Sequence, residues 1–186
     1  MSTTEIFDGA KWLSGFVKIW KVDPVTGDSQ LLVDKQNMIL KGGAKLITHA
    51  LAGVEGSKIW GMYIGFNNTA SFTPKTINPE YSDPFSGFSS PFGYLREPLT
   101  FTPTYMSSPG YTDNTVLFST MITSSTSQTD AVFDGSSRIY EVGLIAAPTP
   151  SDPSGDVVFS RTNFNAIQYD SSFNFTISWG IRILLA

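Results

Sequence analysis

The chain is expected to fold mainly as β-structure, in an antiparallel β-sandwich or barrel of about eight strands. One short helix packs on it, and a long ordered aromatic arm extends from it. Three observations carry this expectation. From Ser172 to Ala186, apolar residues fall on every second position: Phe173, Phe175, Ile177, Trp179, Ile181, Ile183 and Leu185. Successive strand side chains point to opposite faces, so this segment reads as one long strand with a single apolar face. The composition agrees, with 13% aromatic and only 15% charged residues, against about 25% charged in an average domain. Gly- and Pro-containing clusters then punctuate several short apolar runs at strand-like spacing.

Gly15–Val22 and Gln30–Lys35 read as two strands, and Asp23-Pro24-Val25-Thr26-Gly27-Asp28 between them reads as a hairpin turn. The helix is placed at Gly43–Ala52, with Ile47, Ala50, Leu51 and Val54 at helical spacing and Gly53 as its left-handed cap. Gly42 and Gly43 are read as residues that let the chain turn into that helix. Strands follow at Lys58–Phe66, Leu95–Thr104, Thr115–Thr123, Arg138–Ala146 and, as a short one, Val157–Thr162. Pro148–Gly155 is a turn cluster, and Thr123–Thr129 reads as a solvated loop.

The segment 67–94 stands apart. Pro74, Pro79, Pro84 and Pro91 exclude a helix or a central strand. Phe72, Tyr81, Phe85, Phe88, Phe92 and Tyr94 make it far richer in aromatics than disordered chain is. Long loops of this kind in compact domains are uncommon and usually functional. It is therefore read as an ordered arm inserted in a single domain of residues 1–186. It lies either on its own domain or on a neighbouring subunit.

The chemistry of the chain is sparse. It has no cysteine and a single histidine, His49, on the expected helix, which disfavours thiolate and zinc chemistry. No cofactor and no metal are expected. Glu80 with Asp83, and Asp130 with Asp134, are the acid pairs that could serve glycoside hydrolysis. Each sits among Ser, Gly and Pro, where acids serve turns. Lys41-Gly42-Gly43-Ala44-Lys45 lacks the spacing of a phosphate loop. With a formal net charge of -4 and scattered Lys and Arg, nucleic acid is not an expected partner. No run is long enough to span a membrane, and residues 1–20 lack an apolar signal core. Synthesis in the cytoplasm, with any later location reached by assembly, is the expectation. The sequons at Asn67 and Asn174 are read as chance matches.

Glu141 is the most informative charge, because it lies inside the apolar run Ile139-Tyr140-Glu141-Val142-Gly143-Leu144. A carboxylate there must be paired or neutralised. It is either a catalytic acid or half of a structural ion pair. The reading taken is the ion pair, with Arg161 and Arg182 as candidate partners.

Several short motifs occur in a fixed order. A hairpin leads to Asn37-Met38-Ile39, then through Gly43 and Ile47 to Leu51-Ala52-Gly53. Ile59-Trp60-Gly61-Met62-Tyr63-Ile64-Gly65 follows, and later Ile139 to Leu144, Phe159-Ser160-Arg161 and Ile177-Ser178-Trp179-Gly180-Ile181. This series resembles a loosely defined group of structural proteins of tailed bacteriophages. The aromatic arm has no counterpart in that group. The resemblance implies a virion component without catalytic activity. It would be a capsid decoration or cement protein, or else a tail, neck or fibre module. Its partners would be the major capsid protein or tail and neck proteins, with self-association, as a trimer, also expected. Phe72, Tyr81, Phe85, Phe88, Phe92 and Tyr94 would form the contact arm. A third possibility is a carbohydrate-binding β-sandwich using Trp12, Trp20 or Trp60 as stacking platforms.

Overall fold

The computed structural model describes residues 13–54, 58–67, 94–105, 115–123, 137–146 and 155–183. Two five-stranded antiparallel sheets face each other as a β-sandwich. The described elements are, in order, β1 (Leu13–Val22), β2 (Ser29–Gln36), β3 (Met38–Ile39), α1 (Lys41–Leu51), β4 (Ile59–Asn67), β5 (Tyr94–Pro98), β6 (Phe101–Tyr105), β7 (Thr115–Ile122), β8 (Arg138–Ala146), β9 (Val157–Gln168) and β10 (Asn174–Ile183). One sheet runs β2-β1-β10-β7-β6 and the other β3-β9-β8-β4-β5. The sandwich and the packed helix match the expectation from sequence.

The alternation in β10 organises the core. Phe175, Ile177, Trp179 and Ile181 are buried, together with Val17 and Ile19 of the adjacent β1. They face Met62, Ile64 and Phe66 of β4 and Val142 and Leu144 of β8 in one apolar cluster. Ile183, the last residue of the strand, is 55% exposed. The β1–β2 turn forms as read. Asp23 Oδ1 accepts from the Val25 and Thr26 amides at 2.7 and 3.1 Å, and these two donors hold its carboxyl below the ordinary range.

The helix starts earlier than expected, and of the expected stripe Ile47 packs against the main core. Gly42, Gly43 and Leu46 pack inward, whereas Ala50 is exposed and Leu51 and Val54 are 84% and 47% exposed. The apolar spacing of Leu51 and Val54 is thus not the core stripe. The two glycines lie inside the helix instead of leading into it. A Cβ on Gly43 would come within 2.2 Å of the Phe159 carbonyl oxygen, so the bare backbone lets α1 lean directly on β9. The end of the helix is as expected: the Gly53 amide donates to Ala50 and the Val54 amide to His49, with Gly53 at φ 70°.

Three strand expectations are corrected. β9 is long, because Asn163–Gln168 continues it against Arg138–Glu141 across a register shift. Its polar residues hid that half. Met38–Ile39 forms a separate short edge strand on β9. Leu95–Thr104 is one extended pass but two strands in two sheets. The Leu99 amide donates to Trp60 of one sheet at 3.2 Å, and the next amide, Thr100, to Ser119 of the other at 3.1 Å. The β2–β3 pass crosses the opposite edge in the same way at Asn37. Among the described residues, each side of the sandwich is thus crossed by a chain pass that changes sheets.

Candidate functional site

Strand pairing in the second sheet sets up one transverse row. Arg96 on β5 stands opposite Tyr63 on β4, Tyr63 opposite Gly143 on β8, and Gly143 opposite Arg161 on β9. The row belongs to the sheet face turned away from the main core, since Met62, Ile64, Val142 and Leu144 alternate with it. A smaller apolar cluster of Leu40, Tyr63, Ile145 and Val158, with Trp60 against it, occupies the same face.

Glu141 lies two residues from Gly143 along β8, on the row's side of the sheet, and is 1% exposed. Arg161 Nη2 and Nε donate to Glu141 Oε1 at 2.5 and 2.7 Å. The Tyr63 hydroxyl donates to the same oxygen. Three donors converging on one oxygen fit the ionised carboxylate. Burial nevertheless raises its proton affinity above the ordinary glutamate value, and the Arg161 guanidinium opposes that rise. Burial, and next the Glu141 charge, push the Tyr63 hydroxyl well above the usual phenol range. The geometry is made possible by Gly143: a Cβ there would meet Tyr63 Cε1 at 2.2 Å.

A second, partly buried pair flanks the first. Arg96 Nε and Nη2 bind Asp156 Oδ2 and Oδ1 at 2.7 and 2.6 Å, a bidentate fork. The guanidinium also lies 4.8 Å from the Trp60 ring centroid. Sequence reasoning missed Tyr63, Arg96 and Asp156 as members of this face. The available signal was the period of two: Tyr63 and Arg96 alternate with core residues. Asp156 carried no such signal, because it adjoins a turn cluster.

The other residues singled out by sequence fall elsewhere. Arg182, offered as a partner of Glu141, lies on β10 in the opposite sheet, and its Nε donates to Thr115 Oγ1 at 3.3 Å. His49 is half-buried in the last turn of α1. Trp20 is half-buried on β1. Phe72, Tyr81, Phe85, Phe88, Phe92, Trp12 and the acid pairs Glu80/Asp83 and Asp130/Asp134 lie outside the described residues. Tyr94 is the first residue of β5.

A shallow groove of about 230 Å³ lies at the hairpin end of the first sheet, lined by Lys21, Asp23, Asp28, Ser29, Gln30 and Phe173. Lys21 Nζ stands 3.6 Å from the Phe173 ring centroid and 3.3 Å from Asp170 Oδ2. That ammonium occupies the ring face on which a sugar would stack. Among the described residues, no group of three or more His, Cys, Asp and Glu could hold a metal ion. Among the described residues, no helix is long and apolar enough to cross a membrane.

The chain matches no protein-family model, no curated protein and no solved structure.

Proposed function

We propose that this chain is a non-enzymatic structural protein of a tailed bacteriophage virion, acting as a capsid decoration or cement subunit. The observation that carries the reading is the use of its buried ionisable groups. Glu141, Arg161 and Tyr63 bind one another across three strands, and Arg96 and Asp156 pair bidentately on the same face. Their described bonds run to one another and fasten neighbouring strands together. Large apolar side chains remain on the surface, among them Leu51 and Val54 at the end of α1 and Met38 on β3. The order of short motifs that resembles phage structural proteins supports the same reading.

In this function the subunit adds apolar contact area across capsid boundaries. Each copy contributes modestly, and many symmetric copies add through multivalency. The arm residues Phe72, Tyr81, Phe85, Phe88, Phe92 and Tyr94 supply the contacts. Self-association, as a trimer, belongs to the same proposal. A tail, neck or fibre position is the alternative, and copy number per particle separates the two. Densitometry of purified particles should give hundreds of copies for a capsid coat and about a dozen or fewer for a vertex component. Deleting residues 72–92 should leave a folded sandwich that no longer joins the particle. Undiminished incorporation of that variant overturns the proposed role of the arm. Carbohydrate binding is less well supported, because cations already lie over the Phe173 and Trp60 rings.

A further inference from the structure

Glu97 occupies an unusual place in the β5–β6 pass. It stands opposite Met62, and Leu95 stands opposite Ile64, so Glu97 points to the core side of its sheet. Leu95 and Leu99, on either side of it at strand period, both pack against the main core. Glu97 is 8% exposed, and its carboxyl has no ion-pair or hydrogen-bond partner among the described residues.

Among the described residues, the strands most closely packed against β5 offer no compensating charge. β7 carries no titratable side chain. The only one on β4 is Tyr63, which lies on the other sheet face and binds Glu141. Arg96, next along β5, also points to that other face and is held by Asp156. Burial alone therefore acts on this group, and it raises the Glu97 pKa to about 7.

The location gives that charge leverage. Two residues beyond Glu97 the chain leaves one sheet for the other. The Leu99 amide holds to Trp60, the Thr100 amide to Ser119, and Thr120 Oγ1 donates to the Pro98 carbonyl at 2.6 Å. These few bonds close this edge of the sandwich.

We propose that Glu97 is a proton-operated latch on the β5–β6 pass. Protonated, its carboxyl rests between Leu95, Leu99 and Met62, and the edge stays closed. Ionised, the carboxylate draws further toward water, and the pass loosens from the two sheets. An inward-pointing acid on an edge strand also discourages that edge from pairing with a stray strand. The latch thus joins edge protection to proton control.

The direction follows from linkage. The folded state holds this proton to a higher pH than the unfolded chain does. The Glu97 contribution is therefore fully present below the unfolded pKa, and it is lost as pH rises to about 7.

The test compares the full chain with Glu97→Gln in urea unfolding at about pH 5 and about pH 8, together with amide exchange. The unfolding constant of the wild type should rise at least about tenfold more over that interval than that of Glu97→Gln. Protection of the Leu99 and Thr100 amides should fall before that of Val142 in β8. Identical pH profiles for the two proteins would overturn the latch, as would equal loss of protection at all three amides. Should Glu97→Gln fail to fold, the carboxyl carbon resonance of Glu97 in the wild type decides alone. A midpoint in the ordinary glutamate range refutes the proposal, and one near neutrality supports it.

Discussion

Arg161 reaches Glu141 diagonally, since the residue directly opposite it on the neighbouring strand is Gly143, two positions from Glu141. The bare Gly143 position accepts the Tyr63 ring from β4. Three strands are thus tied through one carboxylate. Breaking such a pair strands a buried charge, which costs about 3–5 kcal/mol. Arg161→Met should lower stability by that amount in urea unfolding, and Glu141→Gln by a comparable amount, since it leaves the buried Arg161 guanidinium without its counter-charge. The double variant Glu141→Leu/Arg161→Met should recover most of the loss. If Arg161→Met alone is neutral, the pair does not fasten the sheet.

Gly143→Ala tests the space itself. The added methyl group would meet the Tyr63 ring at 2.2 Å and the Ser160 carbonyl oxygen at 2.8 Å. Overpacking of this kind costs about 1–3 kcal/mol. A thermal unfolding midpoint several degrees lower is expected. In a Tyr63→Leu background the same substitution should cost less, because the ring contact is gone while the backbone contact stays. Equal costs in both backgrounds would mean that the ring is not the limiting neighbour.

Much of this architecture was legible because the period of two is a direct image of the pleat. The inward faces of β1 and β10 could be read straight from Val17, Ile19, Phe175, Ile177 and Trp179. Glu141 could be flagged because a charge among apolar residues demands a partner. Choosing Arg161 over Arg182 was beyond the sequence, since strand order decides it and β9, not β10, lies beside β8. The same limit hid the sheet change at Leu99 and Thr100: an extended pass looks alike whether its bonds go to one sheet or two. The helix misled for another reason. Its buried face joins Gly42 and Gly43, which carry no hydrophobic signal, to Leu46, while Leu51 supplied a signal and is exposed.

Ser160 gives a prediction of opposite sign. Its hydroxyl is buried on β9 without a hydrogen-bond partner. A buried polar group that makes no bond carries a desolvation cost and returns nothing. Ser160→Ala should therefore leave stability unchanged or raise it by up to about 1 kcal/mol. A loss of more than that in urea unfolding would show that the hydroxyl is bonded in solution.

The sharpest contrast lies within α1. In an exposed helix, replacing glycine by alanine stabilises by about 1 kcal/mol through propensity. At Gly43 the sign should invert, because the new methyl group would lie 2.2 Å from the Phe159 carbonyl oxygen, and backbone cannot swing aside as a side chain can. Separating α1 from β9 would also pull on the Leu40 amide, which donates to that same carbonyl at 3.0 Å. Gly43→Ala should lower stability by about 1–3 kcal/mol, whereas Leu51→Glu, at the exposed end of the same helix, should stay within about 0.5 kcal/mol of wild type. Circular dichroism during urea unfolding measures both. Should Gly43→Ala prove stabilising, α1 does not rest on β9 as closely as the glycine contact requires. Should Leu51→Glu prove strongly destabilising, that side chain is covered in solution by a second polypeptide.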